Sequence, residues 1–595
     1  MDFFEQQERS RATSRWLVLW YLVAVTLTVA SYAAVGALLS WRLAGAIAAL
    51  VAGCILWVSA YRLWQFREGG HAVADLLGAS YVDPERASPA ERKLLNVVEE
   101  MSIASGVSVP PVYVIRREDA INALVAGYSP NEAVIVVTAG AVEKLSRDEL
   151  QGIMGHEFSH ILNGDMALNL RLAALLAGLT WLGDRAEALF FASARAQQAA
   201  GKEGSPAAFA AVFAAAVAFI GFPGTLAASA IRAAVSRQRE FLADAASVQF
   251  TRHADAIAGA LDSIVALHAR TAVLAASAPG LAHMFFAPVV GNWFGFATHP
   301  PIDERIRRVH PRFLRDDYRV RRHGRRDEVA VLDGAGNVVK TVRTAPAEVV
   351  ASVGRPTREH VDFSRRLLEG LAPRLRQALR SAPEAERVLF ALGGFPERAG
   401  DLAGEVQSLA RPHVLTLAEL ALPALKAQPQ PQRDRFLAEF AALVERDSRV
   451  TLREFVLMTL LRQRLREGAG QPIATRYRAV EELADDARAV LSLLAAVSGD
   501  APGRAFAAGA RVLGIAWDAP LAIHEVTSGK ASTALERLRY LAPFAKPALL
   551  AACVEVAMAD GVLRIAEAEL LRAIAATLDC PVPPLVATFQ TGVDE

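Results

Sequence analysis

GHEFSHILNGD, Gly155 to Asp165, is the stretch on which the fold turns. Just upstream, LSRDEL supplies Ser146 as a helix cap and Glu149 three positions later as its reciprocal partner, which predicts a helix from about Arg147. On such a helix His156 and His160 lie one turn apart on a common face, where two imidazole nitrogens reach a single metal ion. Glu157 sits beside them, placed to touch a water on that ion without being a ligand. Gly164, four residues beyond His160, extends the same face with no side chain to crowd it. Against this stands a polar helix face that binds nothing. A third ligand elsewhere in the chain separates the two.

That ligand is sought in SRQREFLADAASVQF, Ser236 to Phe250. As a helix this segment puts Glu240 and Asp244 on one face and leaves Phe241, Ala245 and Val248 to pack. Glu240 is the expected third ligand, because a catalytic zinc commonly takes two histidines and a carboxylate and keeps one position open. Asp244 is expected behind a histidine, accepting its other ring N–H. The alternative is a solvated helix end laced with Arg237, Arg239 and Glu240.

The surroundings are apolar. The chain has 595 residues, 53% hydrophobic and 21% charged, and its 64 Lys+Arg against 63 Asp+Glu leave a net +1 that favours no nucleic-acid partner. A mean hydropathy of +0.25 has local sources. Trp16 to Ser40 is an uncharged run, and after Arg42 a second extends from Leu43 to Ala60; each is long enough to approach or cross a hydrocarbon layer of about 30 Å. Together they predict a transmembrane hairpin, with a cleaved signal peptide as the rival for the first run. Arg9, Arg11 and Arg15 precede it and Arg62 and Arg67 follow, so both flanks belong in the cytoplasm. Two more apolar segments separate the histidines from Glu240: Met166 to Gly183, interrupted by Arg171, and Pro206 to Ile231, which Pro223 is expected to bend. A soluble alanine-rich helical pair is the alternative there. Cys54, Cys553 and Cys580 make no disulfide framework.

HEFSH, the later EFLAD with an apolar hairpin between them, INALVAG from Ile121 to Gly127 and THPPIDERI from Thr298 to Ile306 together resemble the HtpX-like membrane zinc metalloproteases, a family related to the CaaX prenyl proteases. The resemblance covers roughly Met1 to Arg308 and includes HMFFAP, His283 to Pro288. It implies one Zn2+ held by His156, His160 and Glu240, with Glu157 as general base. It further implies a multi-pass protein of the bacterial inner membrane whose site faces the cytoplasm and whose substrates are damaged or misassembled membrane proteins. His299 and Arg305 are candidates to stabilise a transition state. Their structural role would be plainer, since DERIRRV starts a helix with acids first and bases after. Asn122 either bonds the substrate backbone or organises the INA turn. NEAVIVVTAGAV, Asn131 to Val142, predicts a strand centred on Val134 to Val137, either core or an exposed edge on which an extended peptide aligns.

Beyond His310 the character changes. RVRRHGRRDEVAVLDGAGNVVKTV, Arg319 to Val342, predicts a basic tether, or a lipid contact, leading into a β-hairpin. Helical patterning follows from Ser352, and KAQPQPQRDR, Lys426 to Arg435, predicts a linker or long loop. Asp447 precedes Glu454, and Asp560 precedes Glu567, by seven residues in two segments that could be a diverged repeat. Asp560-Gly561 lacks the ordered oxygens of a calcium loop, and helix capping is the simpler use of these acids. The terminal segment resembles TerB-like helical domains, which implies an interaction or regulatory module with a protein partner. The expectation is thus an α+β, mainly helical protein. Its parts are a transmembrane hairpin over 1–65, a metalloprotease core over 66–315 with an apolar insertion over 166–231, a linker and hairpin over 316–350, and a helical module over 351–595. The rival is a catalytically inactive membrane scaffold or an interaction protein that works through its distal helices.

Overall fold

The computed structural model describes residues 3–200, 206–266, 278–289, 299–315, 318–319, 353–407, 414–446, 450–466, 473–498, 502–522, 524–559 and 565–583. The two amino-terminal apolar runs form helices α1 (Phe3–Ala37) and α2 (Trp41–Gln65), joined by a short turn in which Ser40 caps α2 through the Leu43 amide. Helix α3 (Gly70–Leu76) then leads to strand β1 (Ser80–Tyr81) and helix α4 (Pro89–Ser105), which opens on a Ser88/Glu91 capping box. Strands β2 (Val112–Ile115), β3 (Ala123–Ala126) and β4 (Val134–Thr138) complete a four-stranded sheet in the order β1-β2-β4-β3. Only β2 and β4 run parallel.

This order decides between the two readings of NEAVIVVTAGAV in favour of core. Strand β4 lies between β2 and β3 and is buried along its whole length, which is why its centre is a run of β-branched residues rather than an alternation. The outer strand is β3, from the INALVAG segment.

Helices α5 (Ala139–Lys144) and α6 (Arg147–Asn163) follow, the latter starting where expected and capped by the reciprocal Ser146/Glu149 box. Helix α7 (Asp165–Ala200) is unbroken by Arg171, so the short apolar segment expected there is part of a longer element. Helix α8 (Pro206–Thr251) passes through Pro223 and carries the second apolar run, Glu240 and Asp244 on a single rod. Among the described residues, four stretches are long and apolar enough to cross a membrane: Leu19–Ala37, Trp41–Glu68, Asp165–Ser193 and Phe209–Thr251. They pack through small residues. A β-carbon on Gly178 of α7 would meet Ser59 Oγ of α2 at 2.2 Å, and one on Gly221 of α8 would meet the Tyr32 hydroxyl of α1 at 2.4 Å. Ser59 donates to the Leu175 carbonyl and Tyr32 to the Val217 carbonyl, at 3.0 and 2.8 Å.

Helices α9 (Ala254–Ala266) and α10 (Ile302–Val309) close this part of the molecule. The rest is helical among the described residues, from Arg358–Gly370 to Ile565–Thr577. Here the linker expectation fails. The helix Val414–Lys426 ends and the next, Gln430–Val444, begins after three residues, with Pro429 as its cap and Pro431 in its first turn, where a missing amide hydrogen costs nothing. Glu454 forms a capping box with Thr451, whereas Asp447, Asp560 and all of the hairpin 319–342 except Arg319 lie outside the described residues. One apolar core runs from α4, the sheet, α6 and α9 into the distal helices, and a separate one joins α1, α2, α7 and α8.

Candidate metal centre

Small residues bring the two ligand-bearing helices together. A β-carbon on Gly155 of α6 would approach Ser247 Oγ of α8 to 3.0 Å, and that hydroxyl donates to the Gly152 carbonyl at 2.6 Å. One turn further on, His156 and His160 face α8, and the Glu240 carboxylate meets both rings. His156 Nε2 lies 3.7 Å from Glu240 Oε2, His160 Nε2 lies 3.8 Å from Glu240 Oε1, and the two Nε2 atoms are 3.2 Å apart. All three side chains are buried. Among the described residues this trio is the group of His, Cys, Asp or Glu side chains whose ligand atoms converge, within 4.8 Å of one another.

The outer contacts decide what the centre can hold. His156 Nδ1 is 2.9 Å from Asp244 Oδ1, and His160 Nδ1 is 3.3 Å from Asp165 Oδ2. A ring N–H donated to each carboxylate leaves a lone pair on each Nε2. Two lone pairs aimed at each other beside a carboxylate repel unless a cation lies between them, so this donor set fits a divalent ion with two nitrogens and one oxygen. Glu157 is buried beside it with neither oxygen hydrogen-bonded, close to the Val125 backbone amide. Burial pushes its carboxyl up to about 8, against the attraction of His160.

Asp244, expected behind a histidine, stands behind His156, and Arg305 holds it from the other side. The guanidinium donates to both Asp244 oxygens at 2.8 and 2.7 Å and to the Phe286 carbonyl at 2.6 Å, and it lies over the Phe286 ring. Its NH1 is also 3.4 Å from Glu240 Oε2, and His299 Nδ1 is 3.1 Å from the same oxygen while the opposite ring nitrogen meets the Ala282 carbonyl. Arg305 therefore holds both the Glu240 and Asp244 carboxylates, whereas His299 meets Glu240 alone of the two. Asn122 lies outside the cluster. Its Oδ1 accepts from the Ala123 and Ala287 amides and its Nδ2 donates to the Ala287 carbonyl, so it organises the INA turn and pins the HMFFAP segment beside β3.

Two features were not read from the sequence. Gly164 does not extend the metal face but ends α6 in the left-handed conformation, φ 70°, and the reversed chain returns Asp165 to His160. Asp165 is in turn held by Arg239 at 3.1 Å. The signal was present, since an Asn-Gly-Asp run after the last helical histidine is a stop followed by an acid.

A buried His/His/Glu cluster with a neighbouring free glutamate, set at the foot of membrane-length helices, defines a metal-dependent membrane peptidase fold, and residues 88–312 match Peptidase family M48. Within that family the chain is similar to proteins described as protease HtpX homologs. One from Dictyoglomus turgidum is 34% identical over 218 residues, covering 36% of this chain and 68% of the relative. One from Caldanaerobacter subterraneus subsp. tengcongensis is 33% identical over 310 residues, 51% of this chain and 95% of that protein. One from Streptococcus pneumoniae is 30% identical over 321 residues, 52% and 99% respectively. The chain belongs to the HtpX-like members of the M48 peptidases. No solved structure matches it.

Proposed function

We propose that the protein is a membrane-bound zinc endopeptidase, its metal held by His156, His160 and Glu240, that cleaves misfolded or damaged membrane proteins on the cytoplasmic side. The observation that carries this reading is the convergence of three ligand atoms, with each imidazole fixed from behind by a carboxylate. Bound zinc would acidify a water and polarise the scissile carbonyl.

The remaining chemistry belongs to side chains of this chain. Glu157, adjacent to the ligands and free of hydrogen bonds, takes the water proton on a carboxylate oxygen and hands it to the departing amine. Arg305 and His299 keep the Glu240 carboxylate oriented and neutralise part of the negative charge around it. An extended substrate would add to the outer edge of β3 beyond Leu124, which is already bridged to Phe285. Ala123 already points its carbonyl outward, to the Phe286 amide at 2.7 Å, so by strand alternation the Val125 amide and carbonyl also face away from β4, next to Glu157. The orientation rests on the basic residues that flank the α1–α2 hairpin, and membrane substrates on a site set beneath apolar helices.

The test uses detergent-solubilised full-length protein. Wild type should bind about one zinc per chain and cleave casein or a quenched-fluorescence peptide, and Glu157→Gln should keep the zinc and lose at least a hundredfold in turnover. Equal turnover in the two proteins would exclude Glu157 as the base, and absence of bound metal in both would reduce the cluster to helix packing.

A further inference from the structure

A cleft of about 530 Å³ opens where the peptidase part meets the distal helices, and we propose that it is a substrate subsite for a carboxylate. The inference rests on the peptidase reading above and says which substrates that site selects. Three observations carry it.

The first is position. The cleft is lined by Gly164 and Met166, the residues on either side of Asp165, and by Tyr128, two residues past the end of β3. Gly164 ends α6 four residues after His160, and its amide donates to the His160 carbonyl, so the cleft begins where the chain turns away from the second histidine. A peptide lying on the outer edge of β3 and leaving it at Ala126 would enter the cleft within about two or three extended residues of the scissile bond.

The second is charge. Arg171 of α7 stands exposed on one wall, and Arg539 and Lys546 of the distal helices on the other. The acid lining the cleft is Asp579, and its Oδ1 already accepts from Asn131 at 2.7 Å. Lys546 is tied to the Leu578 carbonyl at 2.6 Å. Glu536, which contacts Arg539 at 3.3 Å, is shared with Arg466 at 3.5 Å, so the balance in the cleft stays positive.

The third is an unmet donor. Arg539 is only 7% exposed, yet its Nε is buried without a hydrogen-bond partner. A buried guanidinium N–H left unpaired is costly, and a carboxylate satisfies a guanidinium through two parallel hydrogen bonds. Because residues 539 and 546 lie outside the M48-matched span 88–312, this selectivity would belong to this chain rather than to the family as a whole.

The carboxylate can come from an acidic side chain or from a polypeptide carboxyl terminus, and one peptide set distinguishes them. Quenched-fluorescence peptides carry Glu or Gln at each position two to four residues to either side of the cleaved bond, and each is made with a free and an amidated terminus. With zinc-loaded full-length protein, one position should show at least a tenfold higher kcat/KM for Glu than for Gln. Arg539→Gln and, independently, Arg171→Gln on the opposite wall should bring that ratio to within twofold of one. Survival of the preference on amidation identifies the side chain as the source; its loss identifies the terminus. Equal kcat/KM for Glu and Gln at every position, or a preference that both variants retain, overturns the subsite.

Binding of the labelled peptides by fluorescence anisotropy is read in parallel on the Glu157→Gln protein. Charge-selective binding that depends on Arg539, with no cleavage by wild type, would remove the peptidase reading and keep the subsite. Cleavage without charge selectivity would do the reverse.

Discussion

Asp165 shows how much of a candidate metal site lies in residues outside its donor set. It fixes the His160 ring from behind, as Asp244 fixes His156, and each is held in turn by an arginine, Arg239 and Arg305 respectively. Replacing Asp165 by Asn keeps the shape but weakens the acceptor that orients the ring, and zinc affinity measured by competition with a chromophoric chelator should fall about 10- to 100-fold. Retention of wild-type affinity would show that the ring needs no such support. The His156, His160 and Glu240 cluster was legible because HExxH at helical spacing and an acidic helix downstream state their chemistry in residue types. Asp165 was passed over because its role depends on the backbone reversal at Gly164, a three-dimensional consequence of one left-handed residue. The tasks of Arg305 and His299 could not be separated from sequence either. Their distances to Glu240 follow from how residues 278–289 and α10 fold back over the ligands, which no spacing encodes.

At the scale of elements, helices were easier to read than strand order. The Ser146/Glu149 box placed the start of α6, and the apolar runs marked α1, α2, α7 and α8. Strand β4 was recognised from its β-branched centre, but whether it was an edge depended on pairing with segments distant in sequence, and β3 took the outer place. The proline-rich stretch misled for a local reason, since Pro429 and Pro431 begin a helix as readily as they break one. Packing among the apolar helices gives a sharp test. Gly178→Leu would drive its side chain into Ser59 Oγ, at 2.2 Å from the β-carbon alone, and into the Ile55 carbonyl at 2.4 Å. Overpacking of this kind costs about 1–3 kcal/mol or more. The melting temperature in detergent should fall by several degrees, and activity should fall with it. An unchanged melting curve would mean that α7 and α2 are not in tight register.

For the molecule as a whole, the distal helices are bound to the peptidase part by charge as well as by a shared core. Glu99 of α4 receives Arg376 and Arg380 from the distal half, and Asn96 accepts from both. Arg147 and Arg365 meet on Glu100. Glu99→Ala would leave two mostly buried guanidiniums facing each other, at a cost of about 3 kcal/mol. Limited proteolysis should then cut between the halves at protease concentrations that leave wild type intact; identical digestion patterns would show that the apolar core alone suffices. Sequence composition announced a helical distal half but not where it docks, because docking depends on the pairing of surface charges nearly three hundred residues apart.

Helix α8 has one further implication. Its first half is apolar enough to cross a bilayer and its second half presents Glu240, so one rod carries both the membrane-length segment and the third member of the His/His/Glu cluster. During synthesis α6 emerges well before α8, and until that rod is seated among its membrane neighbours the two imidazoles lack their carboxylate. A newly made chain thus has two of the three converging donors in place before the third can join them.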